Sequence, residues 1–311
     1  MTEIRYALLR GAARSERVLH LLAFFISFCT VVLLCAGALV TSTGSGLAVP
    51  DWPLSFGQFF PRMEGGVLFE HGHRLVAGTV ATLITLYAVF VHLSEDGLLK
   101  RLSRWAVAMV LAQALLGGMT VLFKLPTAVS VAHACLAQLF FCVVCTIALV
   151  TSRFWTEAVR DHSVLGRRLA VYSKVMAGAF FVQLLLGAIM RHRGAGLAVP
   201  DFPLVFGGFW PPVVNFSILV HLAHRTWAFV VIGMVAVFAM TIYRKLPSRL
   251  DLQAYVGALL ALLSFQVLLG AFTIWMRKPV VLTMLHLAIG ASCLATAVTM
   301  AVYCNRIFRR A

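Results

Sequence analysis

Eight apolar runs, each long enough to cross a bilayer, fix what this chain can fold into. They fall at roughly 18–43, 70–93, 103–124, 128–152, 168–191, 218–243, 253–276 and 281–305. A hydrocarbon core about 30 Å thick needs about 20 apolar residues of helix to span it. Inside lipid every backbone amide must find its partner within the protein, which leaves helices and closed barrels. A barrel shows alternating segments of about ten residues, whereas these runs are continuous. The expectation is an all-α integral membrane protein with eight transmembrane helices. Composition agrees: 61% of the 311 residues are hydrophobic and 12% charged, against about 45–50% and 25% in soluble domains. A soluble enzyme, a disulfide-stapled secreted domain and a disordered tail are excluded.

The formal charge of +15 first suggests nucleic acid, but its distribution points to a membrane. Arg5, Arg10, Arg14 and Arg17 precede the first run. Lys100, Arg101 and Arg104 lie between the second and third, and Arg153, Arg160, Arg167, Arg168 and Lys174 follow the fourth. Arg244, Lys245 and Arg249 follow the sixth, and Arg306, Arg309 and Arg310 come last. These eighteen face only six on the other side: Arg62, Lys124, Arg191, Arg193, Arg277 and Lys278. The positive-inside rule therefore predicts both termini in the cytoplasm of a bacterial-type inner membrane. The basic side meets anionic lipid headgroups, and no nucleic-acid partner is expected. The first run is too long for the apolar region of a cleaved signal peptide. All seven cysteines fall in the runs or at their inner edge, so no external disulfide is expected.

The chain repeats itself. Gly46-Leu-Ala-Val-Pro-Asp51-Trp-Pro-Leu-Ser-Phe-Gly57 returns as Gly196-Leu-Ala-Val-Pro-Asp201-Phe-Pro-Leu-Val-Phe-Gly207, an offset of 150. His73-Arg74 returns as His224-Arg225, and Gln113, Gly117, Thr120, Pro126 and His133 return as Gln266, Gly270, Thr273, Pro279 and His286. This predicts two tandem four-helix halves, 1–160 and 161–311. Four is even, so the halves enter the membrane in the same direction, as a parallel repeat. The repeated Gly/Pro loops lie outside and read as lids on the membrane face, with Trp52 and Trp210 near the interface. For Asp51 and Asp201, turn chemistry is favoured over ligand binding.

Ionisable residues within a span are costly and default to functional candidates. His73, His133, His224 and His286 occupy repeat-equivalent positions near the outer ends of the second, fourth, sixth and eighth runs. Two histidines at one depth on two helices of a bundle suit the two axial positions of a haem. The competing reading is a set of helix-to-helix hydrogen bonds, which one histidine would favour and four matched ones do not. Arg74 and Arg225 follow ligand candidates directly, where they either pair with haem propionates or snorkel to the interface. His20, His92, His162 and His192 sit at run ends or in loops and read as solvated; His71 and His221 are intermediate. The halves differ at one position: Glu70, one turn before His73, is replaced by His221. That carboxylate either faces the helix dipole or acts beside a haem as a base or charge stabiliser. The asymmetry suggests one reactive haem site and one that carries electrons.

The ExxHR motif at Glu70, His73 and Arg74, the paired GLAVPD(W/F)P loops and the four spaced histidines together resemble the haem A synthase family over nearly the whole chain. The resemblance implies an oxidoreductase that converts a methyl group of haem O to a formyl group through a hydroxylated intermediate, with water as oxygen source, to give haem A for cytochrome oxidase. It implies that His73 and His133, with Arg74, hold substrate haem O. It equally implies that His224 and His286, with Arg225, hold a haem B cofactor through its iron, and that Glu70 is catalytic. Partners implied are the bilayer, an electron acceptor and the haem O-producing farnesyltransferase; a homo-oligomer stays open. Many relatives carry a cysteine pair in the first outer loop where this chain has Val49, Pro50 and Ser55, so thiol chemistry is not expected there. Two other readings fit the histidines: a di-haem electron carrier linked to quinone, and a haem-delivery or oxidase-assembly protein.

Overall fold

The computed structural model describes residues 2–308, with side chains from Glu16 onward. Arg309 and Arg310 lie outside the described residues, as do the side chains of Arg5, Arg10 and Arg14. Among the described residues, eight helices are long and apolar enough to cross a membrane. They are α1 (Thr2–Ser42, apolar over Glu16–Ser42), α2 (Gly66–Ser94), α3 (Gly97–Leu122) and α4 (Thr127–Val150), then α6 (Val164–His192), α7 (Phe216–Lys245), α8 (Leu250–Trp275) and α9 (Val280–Phe308). A short α5 (Arg153–Thr156) and a 3-10 turn (Ala195–Leu197) complete the order. The shortest spanning helix has 24 residues, which at 1.5 Å per residue is about 36 Å. Among the described residues there is no strand, only the isolated bridges Ser55–Gln58 and Val205–Gly208.

Every helix begins before its predicted run, whereas α1, α3, α4 and α8 end one or two residues before theirs; at α6 and α7 the earlier start is capped by a polar side chain outside the apolar run. Ser163 accepts from Gly166 N before α6, and Asn215 accepts from Ile218 N before α7, satisfying donors the first turn leaves open. Gly44 and Gly194, at φ 71° and 67°, end α1 and α6 in the left-handed conformation glycine adopts without penalty. Exposed hydroxyls within the spans bond back one turn, as Thr79 does to Leu75 O and Thr82 to Gly78 O, so their donors do not face lipid unpaired. Phe24, Phe28, Leu86, Trp105, Phe229 and Phe265 are exposed on the outer faces, where hydrocarbon is their solvent.

Helix α1 packs on α2, α2 on α3, α3 on α4, and α4 back on α1; α6 through α9 close a second ring in the same order. Consequently α2 and α4 occupy diagonal corners of the first ring, and α7 and α9 those of the second. Between the rings α1 meets α9, α6 meets α4, and α4 meets α9. Small buried residues on α9, including Ala288, Ala291, Ala295 and Ala297, let its backbone come close to several neighbours, which is how helices associate where lipid competes equally for apolar contact. Arg191 spans the rings as well, donating from α6 to Ala38 O (2.8 Å) and Ser42 Oγ (3.0 Å) at the end of α1. His20, expected to be solvated, instead places Nδ1 3.1 Å from Ala148 O and 3.3 Å from Thr151 Oγ1, tying α1 to the end of α4. All seven cysteines are free, and Cys135, Cys142, Cys293 and Cys304 are buried.

Candidate functional site

The two repeated loops share one backbone, built by their aspartates. Asp51 accepts from Phe56 N (2.7 Å) and Gly57 N (2.8 Å), and Asp201 accepts from Phe206 N (2.8 Å) and Gly207 N (2.7 Å). These bonds close turns in which Phe56, Gly57, Phe206 and Gly207 all have positive φ, and both loops contain a cis X-Pro bond, at Trp52-Pro53 and Phe202-Pro203. Turn chemistry is thus the role of both aspartates. The amides of Gly57 and Phe56 hold the Asp51 carboxyl below its ordinary value, and those of Gly207 and Phe206 do the same for Asp201, since hydrogen bonds to a carboxylate favour its charged form. Trp210 is exposed, but Trp52 turns inward: its ring fills the space beside Gly118, where an added Cβ would lie 2.7 Å from it.

The arginines beside the histidines fasten these loops, a role the sequence did not suggest. Arg74 Nη1 donates to Asp51 O and Leu54 O (both 2.8 Å), and Nη2 to Glu70 Oε1 (2.7 Å). Arg225 donates to Leu204 O (3.0 Å), Val199 O (3.4 Å) and Asp201 O, while its Nε is buried without a partner. The other oxygen of Glu70 accepts from Val49 N (2.8 Å). At the matching place in the second half, His221 Nδ1 lies 3.4 Å from Val199 N and 3.1 Å from Ala195 O, serving one of the two according to its tautomer. Glu70 and His221 are therefore equivalent in space as in sequence.

Around them the halves diverge. In the first, buried Ser55 Oγ lies 2.7 Å from His71 Nδ1, and His71 Nε2 is buried without a partner. In the second, Val205 and Leu222 replace this pair and pack into a small apolar cluster with Val199 and Ile218. A connected polar group of Ser55, Glu70, His71 and Arg74 thus exists under the first loop alone.

Each of the four histidines faces a glycine on the preceding long helix. A Cβ on Gly37 would lie 3.1 Å from Cε1 of His73, on Gly117 3.2 Å from His133, on Gly187 3.1 Å from His224 and on Gly270 3.1 Å from His286. His73 and His133 stand on the diagonal helices α2 and α4, and His224 and His286 on the diagonal helices α7 and α9. The Nδ1 atoms of His73 and His133 are buried without partners, as are the amide oxygens of Gln113, Gln183 and Gln266. Such orphans are rare in a finished interior. Paired imidazoles on diagonal helices, with glycines leaving ring space free, fit a planar group ligated from both faces. Among the described residues no three of His, Cys, Asp and Glu gather into a cage for a bare metal ion. Sequence reasoning found the histidines but missed Gly37 and Gly187, although they recur at the loops' offset of 150.

By fold and site this is a multi-pass membrane protein with two pairs of intramembrane histidines roofed by repeated loops. The family profile for cytochrome oxidase assembly proteins, COX15-CtaA, matches residues 64–298. The chain belongs to that family. It is 30% identical over 258 residues to a protein of Staphylococcus saprophyticus named Heme A synthase, covering 80% of this chain and 83% of the relative. Proteins of the same name from Bacillus cereus and Bacillus pumilus are 26% and 28% identical, over 90% and 86% of this chain and 90% and 89% of theirs.

Proposed function

We propose that this chain is a haem A synthase, an oxidoreductase of the membrane that takes haem O as substrate and oxidises one porphyrin methyl group to a formyl group. The observation that carries this reading, beside family membership, is the set of four glycine-seated histidines in two diagonal pairs. The molecule divides into tandem parallel halves, 1–160 and 161–311, supported by the two rings of helices and the matched loop geometry. Both termini face the cytoplasm, and the loops face outward.

His73 and His133 hold the substrate through its iron, and His224 and His286 hold resident haem B. Haem B, when bound, supplies a one-electron relay for electrons leaving the substrate. With water as the oxygen source the conversion balances as methyl plus water giving formyl, four protons and four electrons. An electron acceptor and a route for protons are therefore both required. Glu70 is the group to accept a proton or steady positive charge, and only its half places Ser55, His71 and Arg74 beside it. Arg74 and Arg225 hold the loops over the two sites, and the unpartnered Nε of Arg225 is a free donor for a propionate. With Val49, Pro50 and Ser55 in the first loop, this chemistry proceeds without loop thiols.

The test is pigment analysis of protein purified from cells with and without a haem O supply, by extraction and mass spectrometry. Haem A or its hydroxylated precursor is expected only where haem O is supplied. Two unchanged haem B per chain under both conditions would overturn the reading.

A further inference from the structure

The end of the molecule that carries the two loops is charged in one half and neutral in the other. In the first half Arg62, Arg74 and Lys124 meet three carboxylates, Asp51, Glu64 and Glu70. In the second, Arg191, Arg193, Arg225, Arg277 and Lys278 meet Asp201 alone. Arg191 is engaged with α1 and Arg225 with its loop. Arg193, Arg277 and Lys278 are exposed, and among the described residues no ion pair includes them. Their counterparts in the repeat are Thr43, Lys124 and Leu125. The backbone is common to both halves: Lys124, Leu125, Arg277 and Lys278 have φ of 57°, 60°, 55° and 63°. Leu125 lies against Gly46 as Lys278 lies against Gly196. The turns are thus the same, and only the charge differs. Because Lys278 runs along Gly196, three residues after Arg193, the cations share one surface, where the Arg193 guanidinium lies 5.1 Å over the Phe216 ring.

Three like charges on one surface repel one another, and with no carboxylate beside them their field points outward. Arg193 and Arg277 follow the seat glycines Gly187 and Gly270 by six and seven residues, so the patch stands about 10 Å beyond the histidine seats of the second half. We propose that Arg193, Arg277 and Lys278 form the docking surface for an acidic one-electron redox protein, which accepts the electrons leaving the second histidine pair. The inference rests on the haem A synthase reading above and names its electron acceptor by class. On docking, one electron passes from ferrous iron to the oxidised acceptor; the iron is left ferric, the acceptor is reduced, and no bond forms or breaks. Anionic lipid headgroups would call for cations in both halves, since both loops expose aromatic pairs, Phe59 and Phe60 in the first and Phe209 and Trp210 in the second. The free cations instead gather on the half assigned the electron relay.

The experiment uses the full-length, haem-loaded protein in an uncharged detergent. Its probes are oxidised plastocyanin, an acidic copper protein, and oxidised cytochrome c, a basic protein of similar size. Oxidation of the reduced haem is followed by stopped flow, and carbodiimide crosslinks from lysine to plastocyanin carboxylates are mapped by mass spectrometry. Plastocyanin is expected to react at least about tenfold faster in 10 mM salt than in 200 mM, and cytochrome c is not. On the loop side, crosslinks are expected at Lys278 in preference to Lys124. Arg193→Gln, Arg277→Gln and Lys278→Gln combined are expected to slow plastocyanin at least about tenfold in low salt with haem content unchanged. Arg193→Lys with Arg277→Lys, which keeps the charge, is expected to keep the rate. An unchanged plastocyanin rate in the glutamine variant, or equal crosslinking of Lys124 and Lys278, overturns the proposal alone. Loss of copurifying phosphatidylglycerol from that variant, with its plastocyanin rate unchanged, overturns it in favour of lipid headgroups. A wild-type protein that takes up no haem overturns the proposal together with the reading beneath it.

Discussion

A glycine opposite a histidine is a place where one methyl group decides how a ring can sit. Gly187→Ala puts a Cβ 3.1 Å from His224 Cε1, closer than ordinary contact, and overpacking of this kind costs about 1–3 kcal/mol. At about 1.4 kcal/mol per tenfold, haem affinity of the second site is expected to fall roughly 10–100-fold, measured as haem per chain after purification. Gly178→Ala on the same helix meets nothing within 4 Å and is expected to leave haem content unchanged. Glu70 offers a different separation. Glu70→Gln keeps an acceptor for Val49 N but removes the ion pair that Glu70 makes with Arg74 at 2.7 Å. Haem binding is expected to persist and formyl production to fall at least tenfold, read by pigment mass spectrometry; unchanged turnover would remove Glu70 from the chemistry. The histidines were legible in the sequence because an ionisable residue within a span is rare and four at matched offsets are rarer. Their glycine seats were not, because small residues are common in membrane helices and one match carries little signal. The grip of Arg74 and Glu70 on the loop was hidden too, since it joins residues 20 to 23 apart in a chain segment with no periodicity.

At the scale of elements, the centres of all eight spans could be read from hydropathy, and the ends could not. Capping by Ser163 and Asn215 lies outside the apolar runs, and the four residues of α5 are too few to show a helical period. The loops are the elements whose shape matters most, and a single carboxylate organises each. The folded Asp51 carboxyl lies below its ordinary value because Gly57 and Phe56 donate to its charged form. Its contribution to loop stability is therefore complete above the unfolded carboxylate value of about 3.9. That contribution is lost as pH falls through the lower folded value. Hydrogen exchange at the Phe56 and Gly57 amides is expected to be slow from neutral pH down to about 4, relative to the intrinsic rate. Protection should fall only below that. Asp51→Asn is expected to lower that protection at neutral pH and to remove its acid dependence. Retained protection with unchanged acid dependence in the variant would mean that the turn does not rest on this carboxylate.

At the scale of the whole molecule, the two rings are joined by more than a linker. Helix α1 of the first meets α9 of the second, α6 meets α4, and α4 meets α9. The last turn of α9 is further pinned to the connecting segment and to α6. Asp161 N donates to Ile307 O (2.8 Å), Lys174 Nζ to Asn305 Oδ1 (2.6 Å), and the Arg306 guanidinium lies over the Trp155 ring. Continuity of the chain between the rings should then be dispensable for their association, because the buried helix contacts on either side outlast a single cut. Val159 is 73% exposed and lies just before the anchored Asp161, so a protease site inserted between Val159 and Arg160 tests this. After cleavage the two pieces are expected to copurify and to keep their haem and their activity. The same cut reports orientation: with both termini cytoplasmic, as the eighteen basic residues of one side predict under the positive-inside rule, cleavage is expected in inside-out vesicles and absent in right-side-out ones. Cleavage from the outer side would reverse the topology and put the loops that roof the histidines in the cytoplasm. Separation of the pieces would show that the linker, rather than the shared face of α1, α4, α6 and α9, holds the two histidine pairs together.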